Sequence, residues 1–122
     1  MITKLAAALA QGSTTSVAAV QDCLGVINER DASLHAMSQV IAESALAEAA
    51  ARDASGASGA PVGPLHGVPM VIKEEIDVAG CVTTFGGLAN STPAEADSEV
   101  VRRLRAAGAV IVGKTQMPEF GS

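Results

Sequence analysis

Four segments of the chain have the features of an α-helix. The first ends at Gly12, and the second carries an apolar stripe at helical spacing, formed by Val17, Val20, Leu24 and Ile27. The third is the alanine-rich segment from Glu43 to Arg52, whose residue types favour helix. The fourth extends from about Asp97 to Ala107, and Gly108 follows it in the position of a C-terminal cap. The pattern therefore predicts four helices, three of them in the first half of the chain.

Apolar runs between and after these helices indicate β-strands. Val68 to Ile72 is a continuous apolar run preceded by Gly67, which is typical of a strand buried on both faces. Ala109 to Val112 is a short aliphatic run rich in β-branched residues. Near Val40 and Ile41 a strand is favoured over a short helix, although periodicity does not separate the two. Alternating helices and buried strands predict an α/β fold with a mixed, helix-covered sheet.

The composition divides the chain into three parts. Residues 1–52 form a helical lead-in. Asp53 to Pro64 is dominated by Ala, Ser, Gly and Pro, which predicts a flexible surface loop. Residues 65–122 begin the α/β core, and a turn is predicted at Met117-Pro118.

The composition also limits the classes of partner and cofactor. A net charge of −5 argues against direct nucleic-acid binding, which requires a basic surface, and the absence of Trp and Tyr removes a stacking platform for bases. Cys23 and Cys81 lie far apart, and neither histidine has a partner at metal-ligand spacing, so no metal site and no cofactor are predicted. Because no apolar run reaches transmembrane length, we expect no membrane partner and a cytoplasmic location by default.

The stretch GAVIVGKT, Gly108 to Thr115, has the spacing of a phosphate-binding loop. Such a loop curls its backbone N–H groups around phosphates and leads into a helix. Here the four residues between the glycines are aliphatic and mostly β-branched, so they favour an extended strand. A phosphate-binding module at Gly108–Thr115 is therefore the weaker alternative.

Two other polar features have structural interpretations. Arg102, Arg103 and Arg105 lie off the apolar stripe of the fourth predicted helix, which indicates a solvated helix face. His66 precedes the apolar run in the segment PLHGVP and is interpreted as a loop residue that forms hydrogen bonds rather than as a catalyst.

Lys73 follows an apolar run, which is an unusual place for an ammonium group because its burial is costly. In one interpretation the strand ends at Ile72, and Lys73 pairs at the surface with Glu74 or Glu75. In the other, the lysine stays inside the fold, where the loss of water favours the neutral form that a general base needs. The spacing alone favours the first interpretation.

Three stretches resemble the amino-terminal part of the amidase signature family: GPLHGVPMVIKEEIDVAG, TTFGG and ADSEVVRRLRAAGAVIVGKTQMPEFG. The resemblance extends from about Gly63 to the end of the chain, and the residues before it are similar to the family's more variable start. Gln116 departs from the pattern, because members of the family usually have Asn after the GKT triplet. The resemblance implies the amino-terminal part of the amidase signature fold, within a single amidase domain.

The resemblance also implies a role for Lys73. In the family, the lysine of the segment G-[VI]-P-x-x-[IL]-K belongs to a Ser-cis-Ser-Lys triad that hydrolyses linear amides through an acyl-enzyme, and Lys73 has that position. The bridging serine and the nucleophile lie in a Gly-Ser-rich segment farther along than Ser122. This chain is therefore expected to supply only the lysine and to be inactive alone.

The resemblance leaves several functions open. A general amidase acting on a small-molecule amide is the first, and the A subunit of a transfer-RNA-dependent amidotransferase shares the same region. A non-catalytic scaffold remnant is the alternative of another class. Association through exposed sheet edges, as in a homodimer, is also left open.

Overall fold

A computed structural model of the chain describes residues 2–34, 37–59, 61–73, 76–81, 83 and 93–115. Its elements, in chain order, are α1 (Ile2–Gln11), α2 (Ser16–Leu34), β1 (Met37–Val40), α3 (Ala42–Ala57), β2 (Pro69–Lys73), α4 (Glu99–Ala106) and β3 (Val110–Thr115). The predicted helices and strands are all present, and the strand predicted near Val40 is confirmed as β1. The turn predicted at Met117-Pro118 lies outside the described residues.

The three strands form one mixed sheet in the order β1-β3-β2. The last strand in sequence, β3, lies in the centre, where it pairs antiparallel with β1 and parallel with β2. A parallel pair needs a crossover connection, and α4 is part of the connection from β2 to β3. The predicted α/β class is confirmed, because helices and a mixed sheet are packed together.

Helices cover both faces of the central strand. On one face, α2 and α3 pack against β3 in a buried cluster that consists of Val20, Ala45, Ala49, Val110 and Val112. On the other face, α4 and residues of β2, β3 and the segment between β2 and α4 form a second cluster, made of Ile72, Val78, Cys81, Val101 and Ile111. The strand predicted at Ala109 to Val112 is therefore buried on both faces, as its aliphatic residues require.

The end of α4 confirms the predicted glycine cap. Gly108 has φ of +105°, a conformation that favours glycine, and the Ala109 N–H donates to the Leu104 carbonyl at 3.0 Å. A β-carbon at Gly108 would also lie 2.6 Å from the His66 Cα. The glycine therefore ends the helix and lets the loop before β2 approach the start of β3.

The predicted end of the third helix at Arg52 is wrong, because α3 continues to Ala57 through residues of the segment that was predicted as a loop. A tertiary contact accounts for the extension. The Asp53 carboxylate accepts hydrogen bonds from the backbone N–H groups of Ser16 at 2.7 Å and Val17 at 3.0 Å, and so satisfies the first turn of α2. This contact outweighs the low helix propensity of Ser55 and Gly56.

The prediction that β2 is buried on both faces is also wrong for the described part of the chain. Ile72 is buried, but Val71 is 42% exposed and Lys73 is exposed. The reason is position, because β2 lies at the edge of the sheet whereas β3 lies in its centre.

The three arginines of α4 do not share one environment. Arg102 and Arg103 are exposed and pair with Glu99, which lowers the pKa of the Glu99 carboxyl. Arg105 is mostly buried and bridges Glu48 of α3 at 2.5 Å and Asp97 at 3.0 Å. The prediction of a solvated face is therefore wrong for Arg105, because α3 packs close enough to supply a carboxylate.

The remaining features concern thiols, metals and membranes. Cys81 is buried and Cys23 half-buried, both side chains are thiols rather than disulfides, and burial raises the pKa of Cys23. Within the described ranges, no three histidine, cysteine or carboxylate side chains are grouped in a way that could hold a metal ion. None of the helices in the described part of the chain is long and apolar enough to cross a membrane.

Candidate active site

Lys73 is the last residue of β2 and lies at the carboxyl end of the parallel pair β2–β3, opposite Thr115. In α/β sheets, ligands bind beyond the carboxyl ends of the parallel strands. The strand includes Lys73 rather than ending at Ile72, and its side chain is exposed rather than inside the fold. Glu74 and Glu75, the surface partners considered for it, lie outside the described residues.

A β-bulge separates the two halves of the β2–β3 pairing. Met70 pairs with Ile111 and the next residue, Val71, pairs with Gly113, so Val112 is an extra residue on β3. Strict alternation would place Lys114 on the α2–α3 face with Val110 and Val112. Because of the extra residue, Lys114 is instead directed to the opposite face, toward the segment that contains Val78 and Cys81.

Lys114 is the start of a hydrogen-bond chain on that face, which leads from the interior to the exposed residue Asp77. Its side chain is fully buried, and its Nζ donates to Thr83 Oγ1 at 3.0 Å. The Thr83 hydroxyl in turn donates to Asp77 Oδ1 at 2.5 Å. The Asp77 carboxylate is thus linked through the Thr83 hydroxyl to the buried Lys114. This link offsets part of the cost of burying the lysine.

Backbone hydrogen bonds fix the segment that carries Asp77 and Thr83. The Ile76 N–H donates to the Lys73 carbonyl at 3.0 Å, and the Ser98 N–H donates to the Asp77 carbonyl at 3.0 Å. The Ala79 N–H donates to the Asp97 carboxylate at 2.8 Å. The segment that follows Lys73 is therefore anchored to the start of α4 as well as to β3.

Thr83 and Asp77 were not predicted as site residues, and the burial of Lys114 was not predicted either. A signal for Lys114 was present, because it follows the aliphatic run of β3 as Lys73 follows the run of β2. Its partners lie 31 and 37 positions away, so no local pattern identifies them.

His66 does not lie at the same end of β2 as Lys73. It precedes β2 and so lies at the opposite end of that strand from Lys73, where its ring is buried and lines a cavity of about 510 Å³ together with Asp53. Its backbone N–H donates to the Gly63 carbonyl at 3.2 Å. The structure therefore separates this histidine from the candidate active site.

The residues of the GKT triplet are in a strand. Gly113, Lys114 and Thr115 are the last residues of β3 and pair with residues of both β1 and β2. An extended backbone between two strands cannot curl its N–H groups around a phosphate. The phosphate-binding alternative is therefore wrong, and the prediction of a strand inside GAVIVGKT is confirmed.

The sequence profile of the family described as Amidase matches residues 18–122, which is most of the chain. The chain belongs to the amidase signature family. The resemblance identified from the segment around Lys73 is thereby confirmed. The role of Lys73 itself stays a prediction, because a family match does not test a single side chain.

Individual relatives of this amidase-family chain agree with the match. A Mycobacterium tuberculosis protein that carries the name amidase AmiA2 is 47% identical over 120 residues, which are 98% of this chain and 25% of that protein. The A subunit of the glutamyl-tRNA(Gln) amidotransferase of Oleidesulfovibrio alaskensis is 44% identical over 121 residues, or 98% and 24% of the two chains. The chain thus spans about a quarter of the length of the curated relatives that it matches.

A solved structure of the family has the same fold over the same region. The native peptide amidase of Stenotrophomonas maltophilia superposes with a TM-score of 0.91 at 37% identity, over 98% of this chain and 25% of that enzyme. This similarity supports the mixed sheet and its helical layers as part of the amidase signature fold.

Proposed function

We propose that the protein hydrolyses linear carbon–nitrogen amide bonds, with Lys73 as the proton acceptor of a Ser-cis-Ser-Lys triad. The observation that carries the proposal is the position of Lys73, at the exposed carboxyl end of a parallel strand in a chain of the amidase signature family. An ammonium or amine at that place is accessible to groups that approach the end of the sheet.

The chemistry requires a base of this kind. A serine hydroxyl attacks an amide carbonyl only when its proton is removed, and a neutral lysine can accept that proton through a second serine. The attack forms a tetrahedral intermediate whose oxyanion is stabilised by backbone N–H groups. When the carbon–nitrogen bond breaks, the proton returns to the leaving amine, and water then hydrolyses the acyl-enzyme.

The two serines of this mechanism are expected outside residues 1–122. The sequence up to Ser122 contains no Gly-Ser-rich segment of the kind that carries them in the family. We therefore expect that residues 1–122 alone turn over no amide, whereas a full-length gene product that also carries the serine-rich segment does.

A second candidate function has specific support from sequence similarity. A relative with 44% identity is named as the A subunit of glutamyl-tRNA(Gln) amidotransferase. On this alternative, hydrolysis of a donor amide leaves the donor's acid and releases ammonia, and partner proteins use that ammonia to amidate glutamyl-tRNA. The net negative charge of the chain is compatible with this function, because a basic partner protein can bind the tRNA in its place.

The test is a comparison of lysine variants in the full-length gene product. Lys73→Ala is expected to lower kcat on simple linear amides by about 10²–10⁴-fold, the range for loss of a general base. Lys73→Arg is expected to fail similarly, because a guanidinium stays protonated. Lys4→Ala, a change at an exposed lysine of α1, is the matched control and should retain activity.

Two outcomes would contradict the proposal. Near-normal turnover in a folded Lys73→Ala variant would remove this lysine from the mechanism. Absence of turnover in the wild type on small amides, combined with glutamine-dependent amidation of glutamyl-tRNA when partner proteins are added, would favour the amidotransferase function.

A further inference from the structure

Lys114 is a buried charged residue that the proposed mechanism does not use. It is fully buried on the central strand, and the bulge at Val112 directs it away from the α2–α3 face. A buried ion pair or hydrogen-bonded ion is seldom more stable than well-packed apolar residues of similar volume. Stability alone therefore does not account for an ammonium group at this position.

We propose that Lys114 is a positioning residue for Lys73, acting through Thr83 and Asp77 on the segment that follows β2. This inference rests on the proposed function of Lys73. It adds to that function the group that holds the end of β2 in place.

A continuous path of bonds joins the two lysines. Lys114 Nζ bonds Thr83 Oγ1 at 3.0 Å, and Thr83 Oγ1 bonds Asp77 Oδ1 at 2.5 Å. Asp77 follows Ile76, whose N–H donates to the Lys73 carbonyl at 3.0 Å. Each step is a hydrogen bond or a covalent bond of the chain, so we expect a displacement of Thr83 to reach the backbone of Lys73.

The position of Lys114 in the sheet makes it a suitable anchor. It pairs with Ile72, directly next to Lys73, whose own pair is Thr115. The same two strands therefore carry both lysines at their carboxyl ends. Because Lys114 lies on the central strand, with a neighbouring strand on each side, its backbone is held more rigidly than that of Lys73 at the edge of the sheet.

Proton transfer from a serine to Lys73 is sensitive to geometry. A base must lie within hydrogen-bond reach of the proton that it accepts, and a displacement of about 1 Å can cost on the order of 10²-fold in rate. The hydrogen bond from the Ile76 N–H to the Lys73 carbonyl helps to fix the backbone at the end of β2. A link from Lys114 that holds Asp77 and Ile76 in place thus affects kcat without any contact between Lys114 and the substrate.

The experiment uses Lys114→Met in the full-length gene product, because Met has a similar length and suits a buried site. Lys4→Met is the surface control. Thr83→Ser keeps the hydroxyl, and the double variant Lys114→Met/Thr83→Val removes both ends of the first hydrogen bond. For each variant, kcat and KM on a linear amide are measured together with backbone hydrogen exchange of residues 76–83 and the melting temperature.

We expect Lys114→Met to lower kcat by roughly 10–100-fold with KM changed by less than about threefold, since the loss is one of geometry and not of substrate contact. Exchange in residues 76–83 should become faster. Thr83→Ser should keep kcat within about threefold of the wild-type value. The kcat of the double variant should be no more than about threefold lower than that of Lys114→Met, because the effects of residues that act as a unit are not additive.

Other results would overturn the inference. An unchanged kcat in Lys114→Met would do so, whether or not exchange increases. A fall in kcat without faster exchange would show that Lys114 acts by another route, and a rise in KM alone would indicate a substrate contact. If Lys73→Ala is inactive while Lys114→Met is fully active, only this inference fails. If the folded wild type turns over no amide, the proposed function fails with it.

Discussion

Each strand of the parallel pair carries a lysine at or next to its carboxyl end, yet these lysines have opposite environments. Lys73 ends the apolar run of β2 and is exposed, whereas Lys114 follows the apolar run of β3 and is fully buried. Local sequence hardly distinguishes them, because Lys73 directly follows an apolar run and Lys114 follows one after the single residue Gly113. The difference comes from the sheet, in which β2 lies at the edge and β3 in the centre.

The comparison bears on the proposed function, because the two lysines differ in burial and only one of them is expected to be catalytic. The lysine that the family resemblance implicates is the exposed one, at a strand end where a substrate can approach. The buried lysine instead bonds a threonine in a neighbouring segment. The proposed function of Lys73 rests on its position at the strand end, while the burial of Lys114 follows from its position in the centre of the sheet.

Chemical modification should separate the two lysines most strongly. In the 122-residue chain, acylation of Lys114 should be slower than that of Lys73 and Lys4 by at least about 100-fold, since a fully buried amine reacts only when the fold opens. Mass spectrometry of peptides after brief treatment with an amine-reactive ester measures the ratio. Equal rates at Lys114 and Lys4 would contradict the buried position of Lys114.

Truncation of apolar side chains should show the same contrast between centre and edge. Ile111→Ala in β3 should destabilise the full-length gene product by about 2–5 kcal/mol, because it leaves a cavity between α4 and the sheet. Val71→Ala in β2 should cost less than about 1 kcal/mol, because Val71 is 42% exposed. Denaturant unfolding measures both changes. A cost at Val71 as large as that at Ile111 would mean that β2 is covered in the complete protein.

Two glycines with positive φ test how tightly the start of β3 is packed. Gly108→Ala should cost more than the roughly 1–2 kcal/mol of the left-handed conformation, because the new β-carbon would lie 2.6 Å from the His66 Cα. Gly80→Ala, in the segment after β2, should cost only the conformational part, since no atom lies within 4 Å of the place that its β-carbon would occupy. Melting temperatures of the two variants give the comparison. Equal losses would indicate that the loop before β2 can move away.

The smallest effect on stability is expected from a substitution at the surface of α4. Hydrogen bonds from Arg102 and Arg103 lower the pKa of the Glu99 carboxyl, so the ionised form is favoured in the folded state. The resulting stabilisation is present above the carboxyl's unfolded pKa and is lost as pH falls through the lower, folded pKa. Because the side chain is exposed and screened by water, Glu99→Gln should change stability at neutral pH only slightly. An NMR titration of Glu99 with and without Arg102→Ala checks the direction of the shift.

Much of the fold could be predicted because it depends on short-range patterns. The helical stripe of α2, the alanine-rich α3, the glycine cap at Gly108 and the aliphatic run of β3 are all local features, and the structure confirms the elements that they predicted. The α/β class followed from their alternation. The resemblance around Lys73 led to the family, since a segment with that spacing of glycine, proline and lysine is long and specific.

The tertiary structure decided the features that depend on contacts between distant residues. Asp53 extends α3 because its carboxylate caps α2, and Arg105 is mostly buried because α3 supplies Glu48. The order of the strands makes β2 an edge and β3 the centre, and one extra residue on β3 directs Lys114 toward Thr83. A local sequence determines the preference of its own backbone and the spacing of its apolar side chains. Which side chains then lose water, and which polar groups meet, depends on packing between elements that lie tens of residues apart.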